Sequence, residues 1–146
     1  MFDRFTERAA NIMHLARKEA QGLNHEYIST EHILLGIVKG PNGGAHNVLS
    51  ELEVSSEEMK ADLERTVQKD SSKVIFGQLP FTLQSKKVFE RAYEYSVNEL
   101  KNNYIGTEHL LYGLIQEPDG ITGQVFFKYD LREDNVDKAV RKLSSQ

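Results

Sequence analysis

One ten-residue run occurs twice in this chain, and the repetition restricts the fold more than any other feature does. Tyr27-Ile28-Ser29-Thr30-Glu31-His32-Ile33-Leu34-Leu35-Gly36 returns 77 positions later as Tyr104-Ile105-Gly106-Thr107-Glu108-His109-Leu110-Leu111-Tyr112-Gly113. The echo extends to Pro41-Asn42-Gly43 and Pro118-Asp119-Gly120, so that nine of the 17 positions from Tyr27 to Gly43 are identical in the second copy. Self-similarity at a fixed spacing marks a duplicated structural unit, and a site in one unit implies a twin in the other.

The pattern around the duplicated run is helical. Ala9, Ile12, Met13, Ala16, Ala20 and Leu23 fall on one stripe of a helix whose other side carries Glu7, Arg8, Arg17, Lys18 and Glu19. Thr6 is placed to cap it, and Gly22-Leu23-Asn24 to stop it. After Thr82, the residues Ser85, Val88, Phe89, Ala92, Ser96 and Leu100 make the matching stripe. A short apolar second helix is expected to open at Thr30 and at Thr107, with the threonine as N-cap and the glutamate facing the helix dipole. Third helices are expected over about 44–52 and 121–129, and fourth helices over about 56–67 and 132–143. Ser55 or Ser56 with Glu58 offers a capping arrangement for the former.

Strand signals are weak and short. The chain therefore reads as all-α: eight helices forming two tandem, pseudo-twofold four-helix repeats within one domain. Repeat 1 is expected over 1–67, a polar linker over 68–80 with Val74-Ile75-Phe76 pinned to the surface, and repeat 2 over 81–146.

With 146 residues, 39% of them hydrophobic, the chain is long enough to bury a core of its own. A net charge of −4 argues against nucleic acid as a partner, since phosphate backbones demand clustered Lys and Arg. Cysteine is absent, which removes disulfides, thiol nucleophiles and cysteine-based metal sites. No apolar run of about 18 residues exists to cross a membrane, and Met1-Phe2-Asp3-Arg4 does not resemble a secretory signal. The expected location is cytoplasmic, with the plastid stroma as the alternative.

Thr-Glu-His contains residue types used in catalysis, but neighbours on a helix point about 100° apart and cannot form a relay on one face. A capped helix start, with the histidine tucked under the turn against a backbone partner, explains the triplet better. No catalytic residue is expected. His25-Glu26 has its next histidine only at His32, across a loop, so no metal site is expected either. No glycine opens a P-loop, and no cofactor is called for. Glu31 and Glu108 remain as binding groups: a carboxylate accepts a guanidinium in bidentate fashion. Helix N-termini at Thr6-Glu7 and Thr82-Leu83 offer free N–H groups to an anion. Phe2, Phe5, Phe76 and Phe81 lie before helices or in the linker, where they either staple helix starts or line a groove for a partner.

Arg4-Phe5-Thr6-Glu7-Arg8-Ala9, the twin Ile-(Ser/Gly)-Thr-Glu-His-(Ile/Leu)-Leu runs, and Pro80-Phe81-Thr82 with Ser85-Lys86-Lys87-Val88 resemble the N-terminal repeat domain of Clp (Hsp100) unfoldases, closest to the ClpC type. The resemblance spans essentially the whole chain. It implies a compact eight-helix, non-catalytic domain that serves ATPase modules, in cis or in trans, and receives adaptor proteins and protein substrates in regulated degradation. Within ClpC proteins it further implies recognition of phosphorylated arginine. On that pattern Glu31 and Glu108 hold the guanidinium, and Thr6, Thr30, Thr82 and Thr107 serve the phosphate. Phe2, Phe81, Lys86 and Glu90 are the expected partner-facing residues. A free-standing Clp-repeat accessory protein without its own ATPase is the alternative, since the chain stops near Ser144-Ser145-Gln146, about where the family's linker to its ATPase starts.

The sequence departs from the family pattern in several places. Thr82-Leu83-Gln84-Ser85 replaces the usual Thr-Pro-Arg-Ala, and the loss of a basic residue there is expected to weaken the second site, at Glu108. Ser29 replaces a glycine, Gly43-Gly44-Ala45-His46 replaces a Gly-Val-Ala-Ala run, and Phe126-Phe127-Lys128-Tyr129 is bulkier than usual.

Overall fold

Eight α-helices follow one another in a computed structural model that describes residues 3–72, 77–118 and 120–145. They are α1 (Glu7–Gly22), α2 (Thr30–Lys39), α3 (Gly44–Glu51), α4 (Ser56–Thr66), α5 (Leu83–Tyr93), α6 (Thr107–Gln116), α7 (Gly120–Lys128) and α8 (Glu133–Ser144). A π-helical stretch, Glu94–Glu99, continues α5. Among the described residues the only extended pairing is two isolated parallel bridges, Phe5 with Ile105 and Ile28 with Phe81. The all-α, two-repeat reading holds. Phe2, the Val74-Ile75-Phe76 segment and Asp119 lie outside the described residues.

Sequence explains most boundaries. The Thr6 hydroxyl oxygen accepts the Ala9 N–H at 3.1 Å and starts α1; Thr82 does the same for Ser85 at 3.1 Å and starts α5. Ser55 accepts the Glu58 N–H at 3.1 Å to start α4. Asn24 ends the first helical unit in the left-handed region at φ 57°, which asparagine tolerates well.

The starts of α2 and α6 differ from expectation. Ser29 and Gly106 are the N-caps, and Thr30 and Thr107 are the first helical residues. The reason is the histidine three residues on. His32 Nδ1 accepts the Ser29 N–H at 2.9 Å, and His109 Nδ1 accepts the Gly106 N–H at 2.8 Å. Histidine thus fills the place that Glu or Gln takes in a capping box. Thr107, released from capping its own helix, accepts the buried Ala45 N–H at 2.9 Å and caps α3 of the other repeat.

Helices α2 and α6 are buried nearly all round, as apolar helices without a polar face must be. Each lies against the long helix before it, α1 or α5. Gly36 and Gly113 permit the approach: a Cβ would stand 2.9 Å from the Ile12 carbonyl in one case and 2.6 Å from the Val88 carbonyl in the other.

The two repeats are interleaved rather than set side by side. Helix α3 of repeat 1 packs mainly on α6 and α8, while α7 of repeat 2 packs on α4 and α2. The bridges cross in the same sense. Thr6 donates its N–H to Ile105 O at 2.9 Å, and Ile105 donates to Arg4 O at 2.8 Å. Ile28 donates to Pro80 O at 2.8 Å, and Thr82 donates to Ile28 O at 3.0 Å. A single hydrophobic cluster runs through both repeats. Among the described residues no helix is long and apolar enough to cross a membrane.

Candidate functional site

The crossed bridges decide which helix starts meet. Because Thr6 is tied to Ile105, the opening of α1 lies beside the opening of α6, and both lie beside the opening of α3. Thr6, Glu7, Arg8, Gly44, Tyr104, Gly106, Thr107 and Glu108 line a cavity of about 400 Å³. By the same rule Thr82 is tied to Ile28. A second cavity, also about 400 Å³, is lined by residues that include Glu26, Glu31, His32, Asp70 and Thr82. The two cavities are of similar size.

This pairing corrects the sequence expectation about which glutamate lies beside the altered segment. Leu83-Gln84 does not adjoin Glu108. It follows Thr82, which lines the Glu31 cavity, while the Thr6-Glu7-Arg8 start lines the Glu108 cavity. The expectation assumed that each motif is served by the long helix of its own repeat; the parallel bridges serve it from the other.

Glu108 sits where three helix N-termini converge, so the positive ends of their dipoles face it. Its carboxylate lies against the backbones of Gly44 and Gly106, and a Cβ on either glycine would overlap it. Gly106 has φ −96° and its counterpart Ser29 has φ −105°, extended backbone that either residue adopts. The glycine is therefore there for room and not for torsion. Burial pushes the Glu108 carboxyl above its ordinary value, opposed by a bond from its own backbone N–H. Such a group gains by meeting a cation, which restores the solvation that burial took away. Arg8 reaches the same cavity, and its Cδ and the Thr107 hydroxyl flank Gly43.

The Glu31 cavity has another character. The loop before α2 folds back so that His25 Nδ1 lies 2.8 Å from His32 Nε2, and His25 Nε2 lies 2.8 Å from Gln68 O. The expectation that His32 stands apart from His25 is thus overturned. Hydrogen-bond logic orders the protons along this chain. Ser29 N–H donates into His32 Nδ1, so the proton of the neutral His32 ring is on Nε2 and donates to His25 Nδ1; His25 Nε2–H then donates to Gln68 O. Burial, with His25 alongside, holds His32 down at about 4 against a partial opposing pull from Glu31.

His25, Glu31 and His32 offer ligand atoms within 4.8 Å of one another. The donor chemistry does not suit a metal. A histidine that ligates through Nε2 holds its proton on Nδ1 and donates it to an acceptor, whereas Nδ1 of His32 is itself taking an N–H.

The remaining sequence candidates fall as follows. Thr30 is buried and does not line the Glu31 cavity. Phe81 is half-buried, edge-on to Phe89 with centroids 5.0 Å apart, and Phe5 meets the same ring edge-on at 6.2 Å. Both phenylalanines staple helix starts. Lys86 and Glu90 are exposed on α5, and Glu90 borders a cavity of about 640 Å³ with Lys87, Phe89, Tyr93 and Ile105. Sequence reasoning missed Arg8, Gly44, Gly106 and Tyr104. Gly106 and Tyr104 lie within the motif, whereas Arg8 and Gly44 are far from Glu108 in the chain and meet it only through the crossed bridge and the packing of α3 on α6.

The fold and this pair of turns define a class, the repeat domain found at the start of Clp unfoldase subunits. The family description of the Clp repeat (R) N-terminal domain matches residues 4–129 and 95–146, and the chain belongs to that family. Among its relatives, a probable ATP-dependent Clp protease ATP-binding subunit of Chlamydia pneumoniae is 39% identical over 142 residues, covering 97% of this chain and 17% of that protein. The ClpC subunit of Staphylococcus saprophyticus is 39% identical over 139 residues, covering 95% of this chain and 16% of that protein. The chain thus spans about a sixth of the length of these relatives. The N-terminal domain of the chaperone ClpD from Arabidopsis thaliana has the same fold, with TM-score 0.74 and 25% identity over 100% of this chain and 97% of that one.

Proposed function

We propose that this chain is a non-catalytic recognition domain of a ClpC-type ATP-driven unfoldase. It receives adaptor proteins and protein substrates for regulated degradation in the cytoplasm, and phosphorylated arginine is among the marks it reads. The observation that carries this reading is the Glu108 cavity. A half-buried carboxylate stands there next to Arg8, the Thr6 and Thr107 hydroxyls and three helix starts. A carboxylate beside anion-binding groups suits a side chain that carries positive and negative charge a few ångströms apart. A phosphorylated guanidinium is such a group. Family membership supports the same role, because the relatives named above are ATP-binding subunits of Clp proteases.

Calorimetric titration with a short phosphoarginine peptide tests the reading, with the same peptide bearing plain arginine as control. Binding of the phosphorylated form alone, weakened at least tenfold when Glu31 and Glu108 are both changed to alanine, is the expected result. Unchanged affinity in the double variant would sink it.

A further inference from the structure

We infer that Tyr27 and Tyr104 are ligand-contacting residues of the two Thr-Glu-His turns: each stacks its ring on the flat face of the guanidinium whose edge the neighbouring glutamate holds. The inference rests on the recognition function proposed above and deepens it, by naming the side chains that read the planar shape of the group.

Three observations carry it. The first is where the two rings stand. Each tyrosine immediately precedes the isoleucine that makes a parallel bridge, Ile28 with Phe81 and Ile105 with Phe5. Successive side chains of an extended stretch point to opposite sides. Ile28 is 0% exposed and Ile105 1%, so the tyrosine before each is turned outwards; Tyr27 is 53% and Tyr104 39% exposed. The isoleucine N–H groups donate to Pro80 O and Arg4 O, both at 2.8 Å, and hold that backbone in place. The outward rings therefore belong to the duplicated turn itself.

The second is what the rings border. Tyr27 lines the cavity of Glu31, and Tyr104 lines that of Glu108. Tyr104 and Glu108 also border two neighbouring cavities in common, of about 300 Å³ and 210 Å³. The Tyr104 ring leans on His109, with centroids 5.6 Å apart and planes at 52°. His109 is itself pinned by the Gly106 N–H at 2.8 Å, so the tyrosine has a fixed backing.

The third is the chemistry of the pair. A carboxylate holds a guanidinium in its plane, through two parallel N–H bonds, and leaves the faces of that plane uncovered. An aromatic ring stacks on such a face. A carboxylate alone accepts any cation. With a tyrosine ring beside it, the flat, delocalised one gains most.

Calorimetric titration of the full chain with a phosphoarginine peptide, on variants changed at both tyrosines, tests this. Leucine at 27 and 104 keeps apolar bulk and removes the aromatic face, and it should weaken binding about fivefold, as the loss of a stacked cation does. Phenylalanine keeps the face and should leave affinity within about twofold. Proton spectra of the bound peptide add a second readout. The δ-methylene protons of the marked arginine should shift upfield under the tyrosine ring current, and the leucine variant should abolish that shift. Circular dichroism checks that each variant is folded. Unchanged affinity in the leucine variant, a loss with phenylalanine as large as with leucine, or an upfield shift that survives leucine overturns the inference and leaves the recognition function standing. No binding by the unaltered chain overturns the phosphoarginine reading and this inference with it.

Discussion

The Thr107 hydroxyl oxygen accepts the N–H of Ala45 at 2.9 Å, which joins the Thr-Glu-His turn of the second repeat to the start of α3 in the first. The bond is buried, so its loss leaves an N–H with neither water nor protein to satisfy it. Thr107→Val, close in shape and without the acceptor, should cost about 1–3 kcal/mol in urea unfolding. Thr107→Ser, which keeps the oxygen, should recover most of that. Equal losses in both variants would assign the effect to the methyl group instead.

Stability should fall on acidification through the capping histidines. His32 and His109 are both held near 4 by burial, against about 6.5 in an unfolded chain. For a base with a lowered folded value, the unfolded state binds the proton first. The native state is therefore fully favoured above about pH 6.5 and loses up to roughly 1.4 kcal/mol per pH unit for each histidine as pH falls towards 4. Thermal unfolding from pH 8 to pH 4 measures this. His109→Gln retains a capping side chain without a titration, and it should flatten the slope while changing stability at pH 8 by less than about 1 kcal/mol.

Asp62 couples α4 to α7 across the interleaved repeats. Its side chain accepts Lys128 Nζ at 2.8 Å and is bonded to the Tyr129 hydroxyl and to Arg65. Those bonds hold its carboxyl below the ordinary range, and burial together with Asp62 raises the Tyr129 hydroxyl to about 12. Asp62→Ala removes the shared acceptor of a tyrosine hydroxyl and a lysine at once, and should lower the midpoint of chemical denaturation. Tyr129→Phe removes one partner only and should cost less.

Gly36 and Gly113 should tolerate no side chain. A methyl at Gly113 meets the Val88 backbone carbonyl, which cannot rotate away as a side chain would. Gly113→Ala should lower stability by about 1–3 kcal/mol through overpacking. Gly22→Ala, where a Cβ meets nothing within 4 Å, serves as the control and should be near neutral.

Much of this fold was legible in the chain because its signals are local. The stripe from Ala9 to Ala20, the Thr6 and Ser55 caps and the Pro-Gly punctuation each act within a few residues, so element order and approximate ends follow from the sequence. Two things did not follow. The histidines at 32 and 109 are expected under the turn with a backbone partner, but which partner depends on a ring reaching back to the N–H three positions earlier. Only the geometry of the turn shows that Ser29 and Gly106 displace the threonines as caps. The second is the crossing of the repeats. Nothing within the Thr82-Leu83-Gln84 segment says that it is tied to Ile28 rather than Ile105, because parallel bridging joins residues more than fifty positions apart. Reading along the chain therefore placed the loss of the basic residue at the wrong glutamate.

The most direct test of the ligand site is a residue-by-residue map of where a phosphoarginine peptide touches the domain. Amide chemical shifts recorded during a titration supply it. The account predicts that shifts concentrate at the two crossed turns, Thr6 to Ala9 with Gly106 to His109 and Ile28 to His32 with Thr82 to Ser85. A map that leaves both turns silent, with shifts centred elsewhere on the domain, would contradict it.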